Sequence, residues 1–108
     1  MTYDSVLITG ASSGLGEEFA MQLAPRALQL VLVARRSDRM RLVAERITDR
    51  YPDTDIVIEV ADLADADERK ALLQRLAKQS ITPDLLINNA GLGDYGEFVT
   101  ADWPKLES

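Results

Sequence analysis

The segment best suited to chemistry is the glycine-rich run Thr9–Gly16, which reads TGASSGLG and follows the apolar residues Val6–Ile8. This order predicts a buried strand that ends in a tight turn, and a helix that begins from the turn. The first N–H groups of a helix lack intrahelical partners and carry about half a positive charge, so they attract phosphate groups. Gly10 would permit the turn, Gly14 would let phosphates approach the backbone, and Gly16 would let the helix lie close to the strand. The run predicts a pyrophosphate site; the alternative is a flexible turn that binds no ligand.

Two arginines follow the second apolar run of the chain. Leu28–Ala34 is almost entirely apolar, and Arg35 and Arg36 come directly after it. A guanidinium group forks onto a phosphate, so these side chains could bind one. The alternative is that they belong, with Arg39 and Arg41, to the solvated start of a helix.

Polar residues also follow the third and fourth apolar runs. Asp62 and Leu63 come after Asp55–Ala61, and the tetrapeptide Asn88–Gly91, which reads NNAG, closes the fourth run. Each has a simpler interpretation, since NNAG is a plausible turn and Asp62 could cap the next helix. Asp65 is better placed for that cap, so we favour a binding role for Asp62.

The rest of the sequence predicts the elements that position these residues. Strands are expected at Ser5–Thr9, Leu28–Ala34, Asp55–Ala61 and Asp84–Asn88. Helices are expected at Gly14–Ala24, from a cap at Ser37 or Asp38 to Arg50, from a variant capping box at Asp65–Glu68 through Gln79, and from near Thr100–Trp103. The apolar faces at helical spacing are Leu15, Phe19 and Leu23; Met40, Val43, Ala44 and Ile47; and Leu72, Leu73, Leu76 and Ala77.

Alternating strands and helices indicate right-handed βαβ units around a parallel sheet. The doubly wound rule then gives the strand order 3-2-1-4, with a binding crevice at the carboxyl ends of the strands. We predict an α/β fold, a Rossmann-like doubly wound sheet of four strands with flanking helices, as one domain over residues 1–108.

Composition excludes several kinds of function. The formal net charge of −6 argues against a nucleic-acid partner, and no apolar run is long enough to span a membrane. The absence of cysteine and histidine excludes disulfides, a Ser-His-Asp triad and histidine-ligated metal sites within these 108 residues. No basic segment precedes the first apolar run, so we expect a cytoplasmic location.

The motifs between residues 9 and 91 together resemble the classical branch of the short-chain dehydrogenase/reductase family. The spacing Gly-x-x-x-Gly-x-Gly after Thr9, and NNAG after the fourth strand, carry the resemblance. It implies a dinucleotide with its adenine at Asp62 and Leu63, its ribose along the Asn-Ala-Gly backbone, and Asn88 tying neighbouring strand ends together. The implied cofactor-binding residues are Gly10, Ser12, Ser13, Gly14, Leu15, Gly16, Arg35, Arg36, Asp62, Leu63, Asn89, Ala90 and Gly91.

The residues after the second strand favour NADP over NAD. Family members that use NAD usually carry an aspartate at the position of Ala34, and Arg35 matches the basic residue of NADP-dependent members. A guanidinium would bind the 2′-phosphate that a carboxylate repels, and Arg36 could stack on the adenine.

The Tyr-x-x-x-Lys arrangement by which the family transfers hydride does not occur in these 108 residues. A complete doubly wound sheet has at least six strands, and four are predicted. We therefore interpret the chain as the cofactor-binding first half of an NADP(H)-dependent oxidoreductase for a small carbonyl or alcohol substrate, incomplete at its C-terminus and inactive alone. The alternatives are a non-catalytic dinucleotide-binding module or sensor, and a structural domain without a ligand.

Two further expectations concern partners. The fourth strand is predicted to be a sheet edge, so the chain is expected to self-associate through this edge or through Leu85, Leu86 and Ile87. In the loop Leu92–Val99, Tyr95 and Phe98 would line the substrate side or pack on the last helix.

Overall fold

Strands and helices alternate along residues 2–89, the part of the chain that this computed structural model describes. The elements are β1 Tyr3–Thr9, α1 Gly14–Leu23, β2 Ala27–Ala34, α2 Ser37–Arg50, β3 Asp55–Val60, α3 Ala66–Lys78 and β4 Leu85–Asn88, with a 3-10 turn at Ala24–Arg26. The predicted elements in this range are confirmed to within one or two residues. The predictions for Leu92–Val99 and for a last helix lie outside the described residues. No helix within residues 2–89 is long and apolar enough to cross a bilayer.

The four strands form one parallel sheet in the order β3-β2-β1-β4, which confirms the predicted order. In the central strand β1, Thr9 lies beside Val33 of β2 on one side and Asn88 of β4 on the other. Ala34 of β2 in turn lies beside Val60 of β3. Because all strands run in one direction, their carboxyl ends meet at a single edge of the sheet.

Helices cover both faces of the sheet. Buried residues of α1 and α2 pack with Val6, Ile8, Leu30 and Leu32 on one face. Buried residues of α3 pack with Leu7, Val31 and Val33 on the other face. Residues Val6–Ile8 of β1 and Leu30–Ala34 of β2 are therefore buried on both sides, which explains why each of these stretches is entirely apolar.

The apolar helix faces differ in part from those predicted. Leu15 is 61% exposed, and the buried residues of α1 are Gly16 and Ala20. The first turn of the helix lies against the preceding loop at Gly16, so only small residues fit on the side that faces the sheet. Leu15, the residue before Gly16, therefore points to solvent. In α3, Leu72 is buried as predicted but Ala77 is exposed.

One predicted helix cap and one predicted capping box also differ. The N-cap of α2 is Arg36, without a side-chain hydrogen bond, so the prediction of a cap at Ser37 or Asp38 was wrong. Asp65 caps α3 as predicted, since its carboxylate accepts from the N–H groups of Asp67 and Glu68. Glu68 does not complete the capping box, because its carboxylate accepts from the Asp62 N–H at 2.8 Å.

The start of β4 is fastened to the start of β1 by Asp84. Its carboxylate oxygens accept from the N–H groups of Asp4 and Ser5, both at 2.9 Å, and its own N–H donates to the Ser5 carbonyl oxygen. Burial of the carboxyl opposes its ionisation, but the hydrogen bonds from the backbone at Ser5 and Asp4 hold the pKa of Asp84 below its usual value. The ionised form therefore stabilises the junction of β1 and β4.

Asp84→Asn is expected to lower the free energy of unfolding at neutral pH by about 1–2 kcal/mol. The neutral amide has a single oxygen, so it cannot replace both of the charged carboxylate oxygens that accept from the two N–H groups. Since the folded pKa is lowered, this stabilisation is complete above the unfolded pKa near 3.8 and is lost as pH falls through the folded pKa. Urea unfolding of both proteins from pH 7 to pH 3 measures the difference. The control Asp4→Asn makes the same charge change at an exposed neighbour, and an equal loss there would contradict the role of Asp84.

Candidate functional site

The glycine-rich turn between β1 and α1 has the geometry that its sequence predicts. Gly10 has a φ of 63°, a conformation that side chains disfavour, and this reverses the chain at the end of β1. A Cβ on Gly16 would lie 2.2 Å from the Gly10 carbonyl oxygen, so the helix can start this close only with glycine there. A Cβ on Gly14 would have no atom within 4 Å, so the backbone there borders open space.

Ser13 organises the start of α1. Its hydroxyl accepts from the Gly16 N–H at 3.0 Å and donates to the Gly10 carbonyl oxygen at 2.9 Å. Its carbonyl oxygen accepts the first helical bond, from the Glu17 N–H at 2.8 Å. Ser13 is therefore the N-cap of the helix, a type of contact worth about 1 kcal/mol.

The turn opens onto a cavity of about 640 Å³ at the carboxyl ends of β1, β2 and β3, a size typical of small-molecule sites. Its lining residues are Gly10, Ser12, Ser13, Val33, Ala34, Arg35, Arg36, Ala61, Asp62, Leu63 and Asn89. Eight of the residues predicted from the sequence are thus brought together. Gly14, Leu15 and Gly16 lie in α1 beside the turn but not in this lining. Ala90 and Gly91 lie outside the described residues.

Three apolar lining residues were not among the predicted binding residues, although the sequence places one of them, Ala34, at the position that distinguishes NAD from NADP. Val33 and Ala34 end β2, and Ala61 directly follows β3. The Val33 carbonyl oxygen accepts from the Ala11 N–H at 3.1 Å, which ties the glycine-rich turn to β2. The signal for these residues was their position, since the last residues of parallel strands border the crevice whatever their type.

The basic residues after β2 divide into two groups. Arg39 and Arg46 both pair with Glu17 of α1, so they link the two helices on one face of the sheet. Arg35 and Arg36 are exposed, line the cavity and have no ion pair among the described residues. Two unpaired guanidinium groups beside a helix N-terminus make this side of the cavity attractive to anions.

The loop after β3 is held by hydrogen bonds around Asp62 and Leu63. One Asp62 carboxylate oxygen accepts from the Ala64 N–H at 3.0 Å, and the Leu63 carbonyl oxygen accepts from Arg69 at 2.7 Å. Because Asp65 caps α3, the alternative role of Asp62 as that cap is wrong. The Asp62 side chain instead shapes the loop and borders the cavity.

The last residue of β4, Asn88, and the residue that follows it, Asn89, contact the end of β1 or the turn beyond it. The Asn88 side-chain oxygen accepts from the Thr9 hydroxyl at 3.1 Å, which confirms that it ties neighbouring strand ends together. The Asn89 side-chain amide donates to the Gly10 carbonyl oxygen at 3.2 Å and to the Ser13 hydroxyl at 2.9 Å. Sequence reasoning missed this second contact, although an asparagine that follows a strand next to a glycine turn is placed to make it.

Gly16→Ala is expected to lower the free energy of unfolding by about 2–3 kcal/mol, because the new methyl group meets a backbone oxygen that has no freedom to rotate away. Urea unfolding measures the loss. Gly14→Ala is the matched control, since its methyl group would meet nothing and alanine favours the helix. Similar losses in the two variants would contradict the close contact at Gly16.

Comparison with known proteins identifies the group of enzymes that share this arrangement. The sequence model of the short chain dehydrogenase family matches residues 4–107. An 11-beta-hydroxysteroid dehydrogenase of Pinus massoniana is 43% identical over 88 residues, which cover 82% of this chain and 24% of the pine protein.

Solved structures give the same result. A short-chain dehydrogenase from Sphingobium yanoikuyae in complex with NADPH is 40% identical with a TM-score of 0.69, over 82% of this chain and 34% of that one. L-Sorbose reductase from Gluconobacter frateurii, complexed with NADPH and L-sorbose, is 29% identical with a TM-score of 0.75, over 86% of this chain and 35% of that one. The chain thus spans about a quarter to a third of the length of these proteins. The chain therefore belongs to the short-chain dehydrogenase family, and its doubly wound sheet agrees with the fold of these solved relatives.

Proposed function

We propose that this chain binds NADP(H) as the dinucleotide-binding part of an oxidoreductase that interconverts a small carbonyl compound and an alcohol. The observation that carries the proposal is the position of Arg35 and Arg36, which lie in the same cavity as the glycine-rich turn and form no ion pair with any residue from 2 to 89. A dinucleotide with a third phosphate group needs such charge at a distance from its pyrophosphate. Along one edge of the sheet, the cavity offers the glycine-rich turn for the pyrophosphate and the two arginines for the third phosphate.

The lining residues suit the parts of NADP in turn. The pyrophosphate would lie at the start of α1, where Gly14 leaves the backbone open to approach. The adenine would lie against the loop at Asp62 and Leu63, since a carboxylate oxygen accepts from an exocyclic amine and a backbone N–H donates to a ring nitrogen. The ribose nearer the reacting ring would follow the backbone from Asn89 through Ala90 and Gly91.

Preference for NADP over NAD rests on the end of β2. NAD-binding sites of this type place a carboxylate on the adenosine ribose, and Ala34 stands at that position here. Arg35, the next residue, offers a planar group with several donors to the 2′-phosphate. Two similar solved proteins are complexed with NADPH, which supports the same cofactor for this chain.

The bound dinucleotide would supply or accept the hydride of the reaction. The residues of this chain bind and orient it, whereas proton transfer to the substrate oxygen needs a group such as the tyrosine of Tyr-x-x-x-Lys. That arrangement does not occur in the 108 residues. We therefore propose that these residues bind the cofactor but do not turn over substrate by themselves.

Calorimetric titration with NADP and then NAD tests the proposal. We expect tighter binding of NADP, and Arg35→Asp should weaken NADP binding by tenfold or more, because a carboxylate then faces the 2′-phosphate. NAD binding should change much less.

Arg41→Asp is the matched control, since it makes the same charge change on an exposed part of α2 away from the cavity. Equal losses for NADP and NAD in Arg35→Asp, or the same loss in Arg41→Asp, would contradict the assignment of Arg35.

A second candidate function is a dinucleotide-binding module without catalysis, which the absence of Tyr-x-x-x-Lys from these residues favours. The encoding DNA downstream of Ser108 distinguishes the two. A continuing frame that contains Tyr-x-x-x-Lys supports the oxidoreductase, and its absence supports the module.

We further propose a cytoplasmic location and self-association of the chain along β4. Within residues 2–89, β4 pairs with β1 alone, and its four residues are only half-buried. A strand with one unpaired side presents N–H and C=O groups that another strand can bind.

Light scattering over a range of concentrations is expected to show the molar mass rising from that of a monomer to at least that of a dimer. The control is the same series at a urea concentration at which circular dichroism shows that the chain is still folded, so that a fall in molar mass reports dissociation alone. A monomer at every concentration would contradict association along β4.

A further inference from the structure

We propose that Ser13 is a positioning residue whose hydroxyl holds the end of β4 against the glycine-rich turn. In this role it supports dinucleotide binding without forming a hydrogen bond to the dinucleotide itself. Because the role concerns the dinucleotide cavity, it rests on the function proposed above. It reassigns a residue that sequence reasoning placed in direct contact with the cofactor.

The hydrogen bonds of the Ser13 hydroxyl are complete within the protein. A serine hydroxyl has one donor and two acceptor positions. It donates to the Gly10 carbonyl oxygen at 2.9 Å and accepts from the Gly16 N–H at 3.0 Å and from the Asn89 side-chain amide at 2.9 Å. A phosphate oxygen is an acceptor, so it could bind this hydroxyl only by displacing the Gly10 carbonyl oxygen. A direct contact therefore replaces an existing bond and adds little.

The three partners of the hydroxyl come from three different parts of the fold. Gly10 follows β1, Gly16 lies in the first turn of α1, and Asn89 follows β4. The Gly10 carbonyl oxygen also accepts directly from the Asn89 amide at 3.2 Å, which closes a small network between the three elements. Gly10, Ser13 and Asn89 all line the cavity. The network therefore sets the distance between the phosphate side of the cavity and the side formed by β4.

Removal of the Ser13 hydroxyl would affect the start of α1 and the end of β4 at once. Ser13→Ala leaves the Gly16 N–H without its cap and the Asn89 amide with one acceptor fewer. Ser13→Thr keeps a hydroxyl at the same position and is an acceptable N-cap. The threonine variant is thus the conservative replacement that should restore the network.

A double-mutant cycle with Ser13→Ala and Asn89→Ala tests the coupling. Calorimetry gives the NADP dissociation constant of the full chain, of both single variants and of the double variant. We expect each single substitution to raise the dissociation constant about threefold to tenfold, the effect of one hydrogen bond. Because the two variants share the loss of the bond between Ser13 and Asn89, the double variant should lose less than the product of the two single effects. Ser13→Thr is expected to bind within twofold of the unaltered chain.

Thr54→Ala controls for loss of stability alone. The Thr54 hydroxyl donates to the Ala24 carbonyl oxygen at 2.7 Å, in a buried contact outside the cavity lining. This variant should unfold at lower urea concentration but bind NADP as the unaltered chain does. Weaker binding in Thr54→Ala equal to that in Ser13→Ala would overturn a positioning role.

Two other results would also overturn the proposal. One is a set of losses in the cycle that multiply, as independent contacts of Ser13 and Asn89 with the cofactor would give. The other is a dissociation constant that Ser13→Ala leaves unchanged. If the unaltered chain binds neither NADP nor NAD, the proposed function fails, and the same cycle in urea unfolding decides the network by itself: non-additive losses support the link from Ser13 to Asn89, and additive losses overturn it.

Discussion

The contact between the Gly10 carbonyl oxygen and the first turn of α1 is the constraint on which the cavity depends. It leaves no room for a side chain at Gly16, and it places the helix start directly above the end of β1. The same oxygen accepts from Ser13 and from the Asn89 amide, so β1, α1 and β4 all meet at one atom. The direction of the helix, and with it the face of the cavity toward which its N–H groups point, follows from this packing.

The parallel sheet and the pairing of charges complete the arrangement. Because the strand ends meet at one edge, residues from distant parts of the sequence border a single crevice. Glu17 pairs with Arg39 and Arg46 on the helical face, whereas Arg35 and Arg36 line the crevice without an ion pair among residues 2–89. The packing of the sheet thus determines which side chains border the crevice. The ion pairs of Glu17 determine which nearby arginines are already neutralised.

The strand order and most of the cavity lining could be predicted from the sequence, since both follow from the rule that parallel strands end at a common edge. The outward direction of Leu15 could not, because helical spacing groups apolar residues without showing which of them a closely packed helix buries. The bond from the Asp62 N–H to Glu68 could not either, since a glutamate at that spacing is equally suited to a capping box. The pairing of buried Glu59 with Arg75 joins β3 to α3, and no local pattern in an apolar strand signals such a partner.

The two neighbours of β1 impose very different demands on the folding of the chain. Its contacts with β2 join residues 24 positions apart, as between Ser5 and Gln29, whereas its contacts with β4 join residues 79 positions apart, as between Thr9 and Asn88. Closing the longer loop costs about 1 kcal/mol more in chain entropy, and non-local pairing slows folding. We therefore expect the unit of β1, α1 and β2 to form before β4 docks, since β4 pairs through only four residues. Asp84 at one end of β4 and the two asparagines at the other hold this short strand in register through hydrogen bonds to β1 and to the turn that follows it.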